Sequence, residues 1–259
     1  MEHASSVNEL ISSLESSVRE AVTGKKTAVA FSGGLDSGIL SVISKGHADV
    51  TLYTVGVEGA YDVIAAEEAA RAMELPWRHI LISEDILENE MPEMIRMTGT
   101  VNPITISFEI PLYMVLKHSS EDVVLSGQGA DELFAGYSKY VGLSKEESSD
   151  MMKSDMMQLL SVTLVHERTV ADSFGKKVVY PYLDENVMRS TDRMNIYGAG
   201  EEEERKPVLR DVARSLGHPE LAEKRKKAAQ YGSGTMATMR SMAKRRKMTV
   251  REMIAAMAR

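Results

Sequence analysis

The chain has 259 residues, of which 43% are apolar and 27% charged, and its net charge of -7 gives it no general attraction to nucleic acid or anionic membranes. It contains no cysteine, which excludes disulfides, iron–sulfur ligation and a thiolate nucleophile, and its six histidines lack the spacing of zinc ligands. No apolar run reaches the roughly 18 residues of a membrane span, and the first residues, MEHASSVNEL, do not resemble a secretion signal, so we expect a cytoplasmic protein without membrane contact.

Predicted strands and helices alternate through the first half of the chain. The periodicity of apolar residues predicts a helix over 6–23 and then strands over 25–32, 50–57, 79–83 and 122–127. Helical patterns separate these strands. Because strands that alternate with helices pair in parallel through right-handed crossovers, we expect a doubly wound parallel sheet of the α/β class.

The second half of the chain has a different composition. Strand patterns fade beyond residue 145, where methionine, lysine and glutamate become frequent and helical spacing covers 150–173 and 236–258. We therefore divide the chain into an N-terminal helix over 1–24, an α/β core over 25–145 and a mainly helical C-terminal region over 146–259. We expect the C-terminal region to bind the substrate.

The loop after the first strand reads SGGLDS over residues 32–37 and leads directly into a helix. In open parallel sheets, ligands bind outside the carboxyl ends of the strands. Glycines let backbone amides approach a phosphate, the helix N-terminus favours an anion, and the hydroxyls of Ser32 and Ser37 add donors. The carboxylate of Asp36 needs a cation between itself and phosphate, and Mg²⁺ suits oxygen ligands. The alternative is a glycine turn that only reverses the chain.

A second acidic loop follows the strand predicted near residue 125. Residues 123–137 read VVLSGQGADELFAGY, so Asp131 and Glu132 come shortly after the end of a strand. We expect them at the same edge of the sheet as Asp36, where two carboxylates can share one Mg²⁺ with phosphate oxygens. The alternative is a solvated acidic turn that caps the next helix.

These motifs resemble those of a known family. SGGLDS resembles the pyrophosphate loop of the ATP pyrophosphatase superfamily, and residues 123–137 resemble the SGEGxDExFxGY motif of its asparagine synthase branch. Further segments that resemble motifs of this branch are KKVVYPYLD (176–184), KPVLRDVA (206–213) and RKKAAQYGSG (225–234). The resemblance covers roughly residues 25–235 and implies an adenine nucleotide α-hydrolase-like fold.

The resemblance implies an enzyme that uses ATP to adenylate a carboxylate and then transfers ammonia or an amine to it, releasing AMP. The residues implied in pyrophosphate binding are Ser32, Gly33, Gly34, Asp36 and Ser37, and those implied in adenosine binding are Ala30, Val55, Ser126 and Gly127. Asp36 and Asp131 would hold Mg²⁺, and Lys227 would stabilise the charge that develops on the leaving pyrophosphate. Gln128 and Glu132 complete the implied catalytic set.

The chain departs from the family pattern in three places. We expect no glutaminase domain, since that domain begins with a catalytic cysteine, so ammonia would be free, replaced by an amine, or supplied by a separate glutaminase subunit. Gln128 stands where the family has a glutamate that accepts a proton, and a glutamine cannot do so. Either another group, Glu132 or a phosphate oxygen, takes the proton instead, or the nucleophile differs. The segment 166–177 differs from the arginine-rich family segment, so we expect carboxylate recognition to have diverged.

Two other functions remain open at this stage. One is a tRNA- or nucleotide-modifying enzyme with the same phosphate loop, and the other is a non-catalytic nucleotide-binding regulatory subunit, which Gln128 would favour. The basic stretch over 224–247 can be a phosphate-facing loop, a solvated helix or an RNA patch. RNA binding is the least favoured of the three, because Tyr231 alone does not form an aromatic platform for bases. We also expect a homo-oligomer.

Overall fold

Five strands form one sheet at the centre of the computed structural model, which describes residues 2–191, 194, 196, 205–223 and 232–258. The strands are β1 (Lys26–Ala30), β2 (Asp49–Gly56), β3 (Trp77–Leu81), β4 (Val123–Leu125) and β5 (Lys177–Val179). They lie in the order β3-β2-β1-β4-β5, and all four neighbouring pairs are parallel. The predicted parallel α/β sheet is confirmed.

Helices make up most of the remaining described chain. They are α1 (Glu2–Val22), α2 (Leu35–Lys45), α3 (Tyr61–Ala72), α4 (Glu84–Thr98), α5 (Pro103–His118), α6 (Ala130–Leu133), α7 (Lys145–Gln158), α8 (Leu164–Ser173), α9 (Glu185–Thr191), α10 (Pro207–Ser215), α11 (Pro219–Glu223), α12 (Thr235–Arg245) and α13 (Val250–Met257). A π-helical turn, Leu159–Thr163, joins α7 to α8. The helical prediction for the C-terminal region is confirmed by α7, α8, α12 and α13. No helix within the described ranges is both long and apolar enough to cross a bilayer.

The sheet is covered by helices on both faces because neighbouring residues of each strand point in opposite directions. Val29 of β1 and Leu125 of β4 belong to one apolar core, which they share with α1, α2, α3, α9, α10 and α11. Ala28 and Val124, their neighbours in sequence, belong to a second core with α4, α5, α8, α12 and α13. The fold is therefore doubly wound, and the N-terminal helix is part of its first core.

The fifth strand was not predicted from the sequence. β5 has only three residues and pairs with β4, so a segment of the C-terminal region completes the sheet. Just after β5, the Tyr182 hydroxyl is buried and donates a hydrogen bond of 2.9 Å to the backbone oxygen of Asp36. β5 thus ties the C-terminal region to the carboxyl edge of the sheet, where β1 and β4 also end.

Strand order places a topological switch point between β1 and β4. Within the sheet, β2 and β3 lie on one side of β1, and β4 and β5 lie on its other side. The loops that follow β1 and β4 therefore run in opposite directions and leave a crevice between them, which is where doubly wound folds bind ligands. The two motifs of the sequence follow these two strands.

Gly33, in the loop after β1, packs directly against α3. Its φ of +72° lies in the left-handed region, and a Cβ there would sit 2.6 Å from the backbone nitrogen of Ala66. Any side chain at this position would therefore meet both backbone strain and a steric clash with a rigid helix. The absence of a side chain keeps the loop close to α3 and fixes its position at the crevice.

The substitution Gly33→Ala is expected to destabilise the protein by about 2–4 kcal/mol, the sum of backbone strain and overpacking. Gly59→Ala is a matched control, since Gly59 has a φ of +71° but a Cβ there would meet no atom within 4 Å. The control should lose only about 1 kcal/mol from backbone strain. Urea unfolding of both variants measures the difference, and equal losses would contradict close packing of Gly33 on α3.

Candidate active site

The loops after β1 and β4 touch each other at the switch point. A Cβ at Gly127 would lie 3.3 Å from the Cβ of Asp36, so the first turn of α2 and the loop after β4 are in contact. Ser32 is held in the first loop by Ser37, whose Oγ accepts a hydrogen bond of 3.3 Å from the Ser32 backbone N–H. Gly34, which caps α2, makes no side-chain hydrogen bond to the helix. The N-terminus of α2 therefore has no side-chain cap, and its first turn contacts the loop after β4.

Asp36 and Asp131, the two predicted magnesium ligands, converge on one cationic group. Lys206 Nζ lies 2.6 Å from Asp36 Oδ2 and 2.7 Å from Asp131 Oδ1. Only 3% of the Lys206 side chain is exposed. Burial opposes the charged form of Lys206, but the two carboxylates outweigh it and raise the pKa of this lysine above its usual value. The two carboxylates are thus close enough to share a cation.

The backbone around Lys206 is shaped to deliver its ammonium group to this point. Lys206 has a φ of 57° and immediately precedes Pro207, the first residue of α10. Gly136 leaves the space that the lysine occupies, because a Cβ there would collide with Asp131 Oδ1 and Lys206 Cε. The preceding residue, Arg205, donates a hydrogen bond of 3.2 Å to the Gly136 oxygen. The motif KPVLRDVA is visible in the sequence, but the role of its lysine was not predicted from it.

Glu132 lies beside Asp131 but turns toward a tyrosine. Its Oε1 accepts a hydrogen bond of 2.6 Å from the Tyr137 hydroxyl. Only 6% of Glu132 is exposed, and burial raises its pKa, with a further contribution from the charge of Asp131. Its predicted role as a proton acceptor stays a prediction.

Gln128 contacts a buried glutamate that was not identified from the sequence. Its Nε2 donates a hydrogen bond of 2.8 Å to Glu167 Oε1 on α8. Only 3% of Glu167 is exposed, and burial raises its pKa to about 7. Glu167 lies in segment 166–177, the segment that departs from the family pattern. This departure is the only feature of the sequence that draws attention to it.

A second buried glutamate lies near Glu167. Glu109 of α5 is 4% exposed, and burial raises its pKa to about 8. Its Oε1 lies 3.0 Å from His166 Nδ1, and burial lowers the pKa of that histidine. Glu109, His166 and Glu167 line one small cavity between α4, α5 and α8.

The residues predicted to hold adenosine end three adjacent strands. Ala30 is the last residue of β1, Val55 is buried near the end of β2, and Ser126 follows β4. The Ser126 backbone N–H donates a hydrogen bond of 3.0 Å to the Val179 oxygen of β5, and Gly127 comes next in the chain. Ala30, Val55, Ser126 and Gly127 therefore lie along the carboxyl edge of the sheet, and their contact with adenosine stays a prediction.

Lys227 lies outside the described residues, as does most of the predicted basic loop. Described residues on both sides of Lys227 pack against elements that carry or flank the crevice loops. Leu221 of α11 packs against Gly38 of α2. On the other side, the Ser233 oxygen accepts a hydrogen bond of 2.9 Å from the Val57 backbone N–H, just after β2. The role of Lys227 stays a prediction.

The substitution Lys206→Met is expected to lower the free energy of unfolding by about 3–5 kcal/mol, because it leaves two neighbouring aspartates without their buried partner. Lys153→Met is the control, since Lys153 makes an exposed ion pair of 3.5 Å with Asp150, and such surface changes cost about 0.5 kcal/mol or less. Urea unfolding at neutral pH measures both variants. Equal unfolding midpoints would show that Lys206 does not compensate the two carboxylates.

Glu109 should make the protein less stable as the pH rises. Its carboxyl has a pKa of about 8 in the folded protein and about 4.3 in the unfolded chain. Its stabilising contribution is therefore complete below the pKa of the unfolded chain and is lost as the pH rises through about 8. Over this range the free energy of unfolding should fall by up to about 1.4 kcal/mol per pH unit.

Glu109→Gln should flatten this decline in unfolding free energy, measured by urea unfolding across the same pH range. Glu121→Gln is the matched control, because Glu121 is also buried but its pKa is lowered: burial is outweighed by hydrogen bonds, including that from Tyr53. Glu121→Gln should show the same decline of unfolding free energy with rising pH as the wild-type protein. A decline of the same slope in Glu109→Gln would rule out Glu109 as its source.

The chain is similar in sequence to known asparagine synthetases. The family model named asparagine synthase matches residues 9–148, more than half of the chain. A protein assigned as glutamine-hydrolysing asparagine synthetase 1 of Methanocaldococcus jannaschii is 30% identical over 90% of the chain, and asparagine synthetase B of Escherichia coli is 25% identical over 88%. The chain spans 50% and 45% of these two relatives, about half of their length.

Among solved structures, the U34-tRNA thiolase NcsA of Methanococcus maripaludis aligns with 90% of this chain and 80% of its own length. The TM-score of 0.39 and the identity of 16% are too low for this likeness to support an argument about the site. The family model and the archaeal relative, by contrast, each cover more than half of the chain and include both crevice loops. The chain belongs to the asparagine synthase family.

Proposed function

We propose that the protein is an ATP-dependent, AMP-forming amide ligase that adenylates a carboxylate and transfers ammonia or an amine to it. The observation that carries this proposal is the convergence of Asp36 and Asp131 on one point of the crevice, 2.6 and 2.7 Å from the same ammonium nitrogen. A pair of carboxylates in contact with a phosphate-type loop at a switch point suits a metal–triphosphate complex. Membership of the asparagine synthase family supports the same reaction class.

The triphosphate would bind over the first turn of α2. Gly33 and Gly34 allow the backbone to approach the phosphates, and Ser32 and Ser37 supply hydroxyl donors. The α2 N-terminus adds a partial positive charge, since Gly34 leaves it without a side-chain cap. Adenosine would lie along the ends of β1, β2 and β4, as the sequence predicts.

The residues present fit Mg²⁺. Carboxylate oxygens are preferred ligands of this ion, and Asp36 and Asp131 already hold a cationic group between them. When bound there, Mg²⁺ would neutralise phosphate charge and so favour departure of pyrophosphate. Lys206, which occupies this point in the structure, would hold the two carboxylates in place before the nucleotide binds and would make way for Mg²⁺.

The reaction would take place in two steps. An oxygen of the substrate carboxylate attacks the α-phosphorus of ATP, the bond to the bridging oxygen breaks, and pyrophosphate leaves with the bonding electrons. A nitrogen nucleophile then attacks the carbonyl carbon, the bond to AMP breaks with its electrons leaving on the phosphate, and the nitrogen gives a proton to Glu132 or to a phosphate oxygen as the amide forms. Gln128 donates its amide hydrogen to Glu167, so it holds a neighbouring group in place and takes no proton.

The decisive experiment is a screen of carboxylic acids for pyrophosphate release from ATP, with and without ammonium chloride. The proposed ligase should release pyrophosphate with a particular carboxylate and form an amide only when a nitrogen source is present. Activity that requires RNA or a nucleotide acceptor would favour the nucleotide-modifying alternative. Tight ATP binding without AMP formation in the whole screen would favour a regulatory subunit, and ammonia transfer only with an added glutaminase would identify a partner subunit.

Asp36→Asn is expected to lower the rate of carboxylate-dependent exchange between pyrophosphate and ATP by a factor of about 100 or more, which abolishes it in practice. The reason is that the substitution removes one of the two charges at the metal position. Asp49→Asn is the matched control, since Asp49 is exposed at the start of β2, at the opposite edge of the sheet. The control should retain exchange. Exchange at the wild-type rate in Asp36→Asn would contradict the role of Asp36.

A further inference from the structure

A small, partly open cavity lies beside the candidate active site, between α4, α5 and α8. Apolar side chains of Met94, Leu116 and Val170 form part of its wall, and it has room for about one water molecule. Glu109, His166 and Glu167 also line it. Two carboxyl groups therefore share an otherwise largely apolar space of the size of one small molecule.

Glu167 connects this cavity to the loop after β4. Its Oε1 accepts the hydrogen bond from Gln128, which fixes the carboxyl group. Its other oxygen, Oε2, is fully buried and makes no hydrogen bond of standard geometry among the described residues, although the nearby Tyr180 hydroxyl opposes the rise of the Glu167 pKa. A buried acceptor without a donor is costly, and a ligand that carries N–H donors would remove this cost.

The charges around the cavity favour a cation. No lysine or arginine is among the described residues that line it. Burial and the nearby charges of Glu109 and Glu132 disfavour ionisation of Glu167, whereas Gln128 and the buried Tyr180 hydroxyl favour it. A cation of the right size would relieve the repulsion between carboxylates, and it can enter near His166, whose side chain is 17% exposed.

We propose that this cavity binds an ammonium ion and that Glu167 removes one proton from it, which releases ammonia beside Gln128. The inference rests on the proposed function and names its nitrogen donor. Ammonium has the size of a water molecule and four N–H donors, which match the acceptors of Glu167 and Glu109. One N–H bond breaks, its electron pair stays on nitrogen as the attacking lone pair, and the proton adds to Glu167 Oε2.

The proposal predicts that ammonium binding releases protons. Glu109 and Glu167 have pKa values of about 8 and about 7, raised by burial, so both are partly protonated near neutral pH. A bound cation requires ionised carboxylates, so it must displace these protons. The other titratable groups that face them are His166 on α8, Tyr180 after β5 and Glu132 in α6, while the Tyr113 hydroxyl is bound to Glu90 and Glu93.

The test uses the full chain without ATP or carboxylate, near neutral pH. Infrared spectra are recorded during titration with ammonium chloride and, separately, with sodium chloride at the same ionic strength. The wild-type protein should lose the carbonyl band of its protonated carboxyl groups with ammonium only, in a saturable way. Equal responses to the two salts, or no response, would overturn the proposal whatever the variants do.

Glu167→Gln and Glu109→Gln should each lose the ammonium response, and Glu121→Gln, a buried glutamate at the other edge of the sheet, should retain it. With a carboxylate found in the screen, Glu109→Gln should raise the half-saturating ammonium concentration for amide formation about tenfold. An unchanged ammonium requirement in that variant would also overturn the proposal. A saturable ammonium response in a protein without pyrophosphate exchange activity would support ammonium binding and contradict the proposed ligase. Failure of the ammonium site and failure of the proposed function therefore give different results.

Discussion

The buried contact of the Lys206 ammonium with the carboxylates of Asp36 and Asp131 is the interaction on which the arrangement of the site depends. Two aspartates from loops after different strands would repel each other if they were brought together alone. The lysine removes this repulsion and comes from a third part of the chain, at the start of α10. It therefore links the C-terminal region to both crevice loops in one electrostatic unit.

Two pairs of acids among the described residues, one half-buried and one buried, differ in how their charge is balanced. Asp36 and Asp131 have a buried lysine between them, so their charges are compensated within the protein. Glu109 and Glu167 have a histidine, a glutamine and a tyrosine as polar partners but no lysine between them, and burial raises the pKa of both. The first pair is suited to permanent charge and the second to gaining and losing protons. One pair of acids could not easily both stay charged and exchange protons near neutral pH.

The sequence was sufficient to predict the parallel sheet and to place the two motif loops at one edge, because both depend on local patterns and on a general property of doubly wound folds. Asp36 and Asp131 were expected near each other for this reason. The partners that complete the site could not be predicted, since Lys206 is 170 residues from Asp36 and Glu167 is 39 residues from Gln128. Such contacts depend on how helices pack on the sheet. β5 was missed because three residues carry too little periodicity to identify a strand.

The π-helical turn at Leu159–Thr163 has a consequence for the orientation of α8. A π turn contains one residue more than the corresponding α-helical turn, and each residue rotates a helix by about 100°. The insertion thus sets the angular phase with which α8 meets the sheet and α5. Loss of one residue from this turn would rotate the following helix about its axis by the same angle, and Glu167 would then face away from Gln128. A change in chain length of a single residue, with no change in any polar side chain, would be enough to separate the acid from the active-site loop.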